Sequence, residues 1–439
     1  MLTAENLLNK EEKIAIVGLG YVGLPLAVAF AERVAVIGFD INSEKIKRYR
    51  SGVDPTNEVG AAVLEHTTVE FTDDETSLKR AGFLIVAVPT PVDKNNLPDL
   101  SPLKNACCVI GRNLRKGAVV MFESTVYPGT TEDICIPILE ETSGLFCGTD
   151  FYVGYSPERV NPGDRTHRLD NIPKIVSGMD RKTAERAAGI YEIVVKAGVH
   201  IVSSIKVAET AKLAENAQRD VNIAFMNELA VTLDRMNIRT AEVLGAMNTK
   251  WNALGFRPGL VGGHCISVDP YYLIQKAQEV HGRSKLVEIS RKTNSKMGFY
   301  TADVIIRQLI KAGYLVKGAK VYIMGISYKE NCPDLRNTMI PEIVSRLCEY
   351  GVDVFVSDPV VDQEEVFLDL GIRLVANEHI CDADCVVFAV AHRVFRNLSA
   401  EELAGMYRHV DGMPKVIIDL KSIFSEEELS KNNFLYWSL

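Results

Sequence analysis

Short apolar runs alternate with stretches of helical period through the first third of the chain. KIAIVGLG (13–20), VAVIGFD (34–40), FLIVAVPTP (83–91) and GAVVMFEST (117–125) read as strands, and YVGLPLAVAFAE (21–32) as the helix after the first of them. Such runs, separated by helical segments, are parallel strands with crossover connections, which predicts a doubly wound sheet. From Ser204 the texture changes. Positions 205–236 contain neither Gly nor Pro, and their apolar residues recur at helical spacing. A helix of that span is about 48 Å long, enough to bridge two domains or form a dimer seam. The chain stays mainly helical to about 300, interrupted by FRPGLVGGHCISVDP (256–270). Alternation returns in AKVYIMGIS (319–327), VDVFVSDP (352–359), CVVFAVAH (385–392) and KVIIDLKS (415–422). The expected fold is α/β, with two lobes, 1–203 and 301–439, joined by a helical middle domain, 204–300, that carries one long central helix.

Composition narrows the functional classes. With 49 Lys+Arg against 57 Asp+Glu the formal charge is −8, which argues against a nucleic-acid binder but leaves room for a phosphorylated ligand held by a few local cations. The nine cysteines include no CxxC pair, so no metal site is assigned, and scattered thiols suggest a reducing compartment. MLTAENLLNKEEK at the start lacks the apolar run of a signal peptide, and no stretch reaches the ~20 apolar residues of a membrane span. A cytoplasmic protein outside the membrane is expected.

Gly18-Leu19-Gly20-Tyr21-Val22-Gly23 follows a strand and opens a helix. The first glycine permits the tight turn, the second lets backbone approach a pyrophosphate, the third lets helix and strand pack, and the helix N-terminus attracts the anion. Asp40 ends the next strand, where a carboxylate suits the adenosine ribose hydroxyls and repels a 2′-phosphate, favouring NAD over NADP. Lys45, one turn further, either offsets charge on the adenine side or is an ordinary solvated lysine. Cys265 lies in GGHCISVDP (262–270), after Gly262 and Gly263, which let the backbone turn sharply and admit a ligand closely. It stands just before a helix expected near Pro270, a position that pushes a thiol toward the nucleophilic thiolate. Asp269, four residues on, can share its face. On the long helix Lys212, Asn216 and Arg219 fall at i, i+4 and i+7, one face from which Lys and Asn could hydrogen-bond a developing alkoxide. A solvated polar stripe is the competing reading of that face. A two-electron hydroxy-acid dehydrogenase would use Lys212 and Asn216 alone, and a non-catalytic nucleotide sensor would use none of these groups.

These segments, with VPTP (88–91), STVYPGTT (124–131), YSPERVNPGD (155–164), VAETAKLAENAQRDVNIAFMNE (207–228), GLVGGHCISVDPYYL (259–273) and GISYKENCPDLRNT (325–338), resemble the nucleotide-sugar 6-dehydrogenase family over nearly the whole chain. The resemblance leans toward the branch acting on UDP-N-acetylglucosamine and UDP-N-acetylgalactosamine. The UDP-glucose branch has a lysine just before the loop aspartate, where this chain has Val268. The resemblance implies NAD as cofactor, a UDP-sugar as substrate, a homodimer, and a Rossmann-like C-terminal lobe that binds uridine diphosphate. It implies Cys265 as nucleophile and Asp269 as the carboxylate assisting proton handling. Lys212 and Asn216 would stabilise the oxygen, Glu158 would be a carboxylate near the reacting carbon, and Thr125 would bind water. It adds Thr90 and Thr125 to the cofactor contacts, and Arg159, Arg219, Gly263, Lys329 and Arg336 to the substrate contacts. Arg257 would reach the nucleotide sugar of a neighbouring subunit.

Overall fold

All of strand β1 (Lys13–Val17) beyond its first residue is buried, as a central parallel strand covered on both faces requires. The computed structural model describes residues 2–55, 58–93, 95–160 and 166–439. The chain divides into two units, one running to Glu215 and taking in Tyr271–Arg283, the other comprising Asn216–Pro270 and Ser284–Leu439.

In the first unit β1 is followed by β2 (Ala35–Phe39), β3 (Glu70–Thr72), β4 (Ala81–Val86), β5 (Val119–Phe122), β6 (Tyr152–Tyr155), β7 (Lys174–Gly178) and β8 (Val199–Ile201). They form one sheet in the order β3-β2-β1-β4-β5-β6-β7-β8, parallel except where β6 meets β7. The order reverses at β1, between β2 and β4, which opens a crevice at the carboxyl ends of the strands. Helix α1 (Gly23–Ala31) starts there. The four strands anticipated from the apolar runs are β1, β2, β4 and β5. Of the others, β3 and β8 have three residues each and keep at least one partly exposed, so their apolar signal is weak, whereas β6 and β7 match β5 and β1 in length.

Helix α2 (Ile205–Arg235) spans 31 residues, close to the expected 205–236. Its first turns, to Glu215, belong to the first unit and the rest to the second. The second unit also contains the GGHC loop and a five-stranded parallel sheet, β9 (Lys320–Met324), β10 (Asp353–Ser357), β11 (Cys385–Phe388), β12 (Lys415–Asp419) and β13 (Phe434–Ser438), ordered β10-β9-β11-β12-β13. Residues 204–300 thus contribute to both units. No helix among the described residues is long and apolar enough to cross a membrane, and the nine cysteines are outside disulfides.

Candidate active site

At the crevice of the first unit, Gly18 takes φ +93°. A Cβ on Gly23 would lie 1.8 Å from the Gly18 carbonyl oxygen, whereas one on Gly20 would meet nothing within 4 Å. The first and third glycines therefore serve the fold, and the second leaves open space beside backbone that a pyrophosphate could approach. No side chain caps the start of α1, so the N–H groups of its first turn suit an anion. Asp40 is buried. Its Oδ2 accepts from Leu19 N–H at 3.0 Å and Lys45 Nζ at 2.9 Å, and its Oδ1 from Asn42 N–H at 3.0 Å. Lys45 is therefore paired with Asp40 rather than left to solvent alone. Thr90 is buried and its carbonyl accepts from Tyr272 Oη at 2.9 Å. These features fit a dinucleotide. Gly20→Ala should fold normally yet weaken NAD binding by at least about tenfold, since a methyl would occupy the approach of the pyrophosphate; titration of the cofactor against protein fluorescence, beside a thermal melt, checks both halves.

Thr125 follows β5 and accepts from Lys212 Nζ at 2.5 Å, both side chains being buried. One turn C-terminal to Lys212 on α2, Asn216 Nδ2 donates to Asp269 Oδ2 at 2.6 Å. Asp269 is buried, at 1% exposure, and opens helix α3 (Asp269–Glu279). The Cys265 carbonyl accepts the Asp269 N–H at 2.8 Å and the Val268 N–H at 3.1 Å. Thiol and carboxylate thus belong to one turn, with Cys265 half-buried at the entrance of α3. Arg219, placed on the same stripe by its spacing, is exposed.

Glu158, expected as a carboxylate near the reacting carbon, has both oxygens engaged by its own chain. Its Oε1 accepts from the N–H groups of Arg159 and Val160 at 2.7 and 2.6 Å, and its Oε2 accepts from Lys174 Nζ at 2.9 Å. Burial opposes its ionisation, but Lys174 and the two N–H groups outweigh that and hold its pKa below the usual range. It is a fixed acceptor and a weak base. Lys174 also donates to Glu123 at 3.2 Å, and Tyr191 Oη donates to Glu123 Oε1. Burial pushes the Glu123 carboxyl up despite Lys174. Arg159, expected on substrate, pairs with Glu215 at 2.9 Å; positions 161–164 of its motif lie outside the described residues.

In the second unit a cavity of about 660 Å³ opens at the carboxyl ends of β9, β11 and β12. Four cations, Arg257, Lys329, Arg396 and Lys421, stand on its wall. Arg396 pairs with Glu330 at 3.0 Å, and burial pushes the Lys421 ammonium down in pKa. The sequence reading does not assign Lys421 or Arg396; the available signal is the place of KVIIDLKS, for Lys421, and of CVVFAVAH, for Arg396, at the carboxyl ends of strands. Arg257 lines the cavity of its own chain. Arg336, expected among the substrate contacts, is held by Asp334 through Nη2 at 2.5 Å. Gly263 gives its N–H to the Arg336 carbonyl at 2.9 Å, while its own carbonyl accepts from Asn337 Nδ2 at 2.9 Å and from Ser267 Oγ. The space its missing side chain leaves is filled by Tyr328, not kept for a ligand. This lobe has its own glycine at a strand end, Gly325 at φ +99°, and its own carboxylate after the next strand, Asp358. That carboxylate accepts from Ile326 N–H at 2.7 Å and lies against His392 Nε2 at 3.2 Å, with both side chains at 0% exposure. Closed behind His392, Asp358 has no surface to offer ribose hydroxyls, so the lobe suits a nucleotide held by cations.

Three family models match in succession, all of the UDP-glucose/GDP-mannose dehydrogenase family. They are its NAD binding domain over residues 12–195, its central domain over 206–296 and its UDP binding domain over 322–426. Protein CapL of Staphylococcus aureus is 48% identical over 423 residues, 96% of this chain and 99% of that protein. UDP-N-acetyl-D-glucosamine 6-dehydrogenase of Pseudomonas aeruginosa is 47% identical over 420 residues, 95% and 99% of the two chains. The solved structure of UDP-D-ManNAc dehydrogenase from Pyrococcus horikoshii matches with a TM-score of 0.87 at 33% identity, covering 97% of this chain and 98% of that one.

Proposed function

Since this chain belongs to the UDP-glucose/GDP-mannose dehydrogenase family, as an NAD-dependent oxidoreductase with that family's NAD-binding, central and UDP-binding domains, we infer that it oxidises the C6 hydroxymethyl of a UDP-N-acetylhexosamine, UDP-N-acetylglucosamine foremost, to the uronic acid. The identity to the Pseudomonas aeruginosa enzyme named for UDP-N-acetyl-D-glucosamine supports this substrate over N-acetylmannosamine, whose named relative from Pyrococcus horikoshii is 34% identical. Val268, where the UDP-glucose branch carries lysine, supports it over UDP-glucose.

The observation that carries the reading is the hydrogen bond from Asn216 to Asp269, which lies one turn from the thiol of Cys265. Bound NAD⁺ is the hydride acceptor in both oxidations, alcohol to aldehyde and thiohemiacetal to thioester. Lys212 and Asn216 steady the oxygen as negative charge grows on it. The sulfur of Cys265 adds to the aldehyde carbon and its oxygen is protonated, giving a thiohemiacetal that keeps the aldehyde on the enzyme. Water then cleaves the thioester, releasing the carboxylate and restoring the thiol. With Glu158 held as a weak base, Asp269 and Thr125 are the groups assigned to proton and water handling.

Two NADH per sugar consumed, measured across UDP-N-acetylglucosamine, UDP-N-acetylgalactosamine, UDP-N-acetylmannosamine and UDP-glucose, is the expected result, with the first preferred. One NADH per sugar would indicate the simpler two-electron chemistry. The product is an activated uronic acid, suited to feed a surface polysaccharide. The chain's thiols, all outside disulfides, support a cytoplasmic site of action. Exposed Phe225 on α2 and Trp251 and Leu254 beyond it support a homodimer, while Arg257, on the wall of its own chain's cavity, is assigned to the substrate of that chain rather than of a neighbour; a monomer by light scattering would rule the dimer out.

A further inference from the structure

Asn337 is held at φ +52°, a left-handed conformation that asparagine tolerates better than most residues. From there its Nδ2 donates to the Gly263 carbonyl at 2.9 Å, while the carbonyl of the preceding residue, Arg336, accepts the Gly263 N–H at 2.9 Å. One turn of chain thereby grips both backbone groups of the residue two positions before Cys265. Tyr328 closes the third side: a Cβ on Gly263, itself at φ +81°, would lie 2.7 Å from the Tyr328 ring. Ser267 Oγ returns to the same carbonyl from beyond the cysteine, so both flanks of Cys265 are tied to one point. The gripping segment, 327–338, also sends Tyr328 and Lys329 into the wall of the cation-lined cavity. Gly262 and Ile266, either side of the thiol, line that cavity; Cys265 is not part of its wall.

We propose that Asn337 is a positioning residue that couples the nucleotide cavity to the nucleophile, so that a nucleoside diphosphate seated against Tyr328 and Lys329 sets where the Cys265 thiol stands. This rests on the reading of Cys265 as nucleophile and of the cavity as the uridine diphosphate site. The link is a side-chain amide. Asn337→Gly removes it while keeping a residue at ease with positive φ. Asn337→Asp keeps the shape and substitutes an acceptor for the donor.

The test uses the full chain without NAD. Iodoacetamide labelling of Cys265 is followed by peptide mass mapping with and without saturating UDP, with exposed Cys348 and Cys381 as internal references. UDP should slow labelling of Cys265 by at least about fivefold in the natural chain, as a modest coupling between two sites predicts. In Asn337→Gly and Asn337→Asp the response should vanish, calorimetric UDP affinity should stay within about threefold, and kcat should fall with KM little changed. Variants that respond to UDP as the natural chain does would overturn the coupling, because protection would then come from the ligand's bulk. UDP that binds the natural chain without altering Cys265 labelling would also overturn it, and would leave the cavity reading intact. UDP that does not bind the natural chain would defeat the cavity reading itself. Loss of fold in one variant leaves the other, and the natural chain's own response, to decide.

Discussion

Cys265→Ser should cost uronate formation at least three orders of magnitude, about 4 kcal/mol of barrier, while UDP affinity and the melting temperature stay as they are. A hydroxyl is far less ionised than a thiol near neutral pH, and an ester is a poorer acyl carrier to water than a thioester. The fold has little stake in the sulfur. Cys265 is half-buried, and its loop is held by backbone and neighbours: the Cys265 carbonyl on the start of α3, and Gly263 between Arg336, Asn337 and Ser267. Quenched-flow product analysis by mass spectrometry reads the result. A serine protein that makes uronic acid at the natural rate would remove the thiol from the mechanism. A protein that accumulates aldehyde or returns it to alcohol would place the block at the second oxidation.

The largest expected effect on stability is at Lys174. Its ammonium is 4% exposed and lies between Glu123 and Glu158, at 0% and 8%. Lys174→Met would leave the carboxylates buried without a counter-ion, a loss of about 3–5 kcal/mol, or on the order of 10 °C in the melting of the first unit. The triple variant Lys174→Met, Glu123→Gln, Glu158→Gln should recover much of this, because a neutral hydrogen-bonded set needs no counter-ion. The pH dependence has a definite sign. Glu158 has a depressed pKa in the fold, so its contribution is full above the unfolded value near ~4.3 and is lost as pH falls through the folded value. Glu123 has a raised pKa, so its contribution is present below that unfolded value and is lost as pH rises through the folded one. Without Lys174, burial is opposed only by the Arg159 and Val160 N–H groups, which moves Glu158 toward its protonated form. The stability gap between the natural chain and Lys174→Met should therefore narrow from pH 7 toward pH 4. Urea melts across that range would show it, and a gap that stays constant would mean that Lys174 acts by packing alone.

How far the site was legible follows the length of chain that each feature needs. The strand–turn–helix with Gly18, Gly20 and Gly23 lies in one contiguous stretch, and its carboxylate Asp40 is one strand away. The turn that joins Cys265 to Asp269, and the helix that carries Lys212 and Asn216, are equally local. Periodicity and spacing encode such features, because backbone geometry alone decides which side chains share a turn or a face. The short strands β3 and β8 were missed for the same reason: with three residues each, they offer too little periodicity to register.

By itself, the sequence determined two α/β lobes, a long helix between them, a dinucleotide turn and a cysteine at the mouth of a helix. Only the tertiary structure decided the ionisation and partnering of the polar groups. Glu158 is paired with Lys174, 16 positions away, and Glu123, 51 positions from Lys174, joins them. Asn337 found Gly263 across 74 positions, and the cations of the second unit's cavity came from Arg257 to Lys421. A carboxylate's pKa and an ammonium's partner depend on burial and on charges within a few ångströms. Those distances do not exist until segments far apart in the chain have packed.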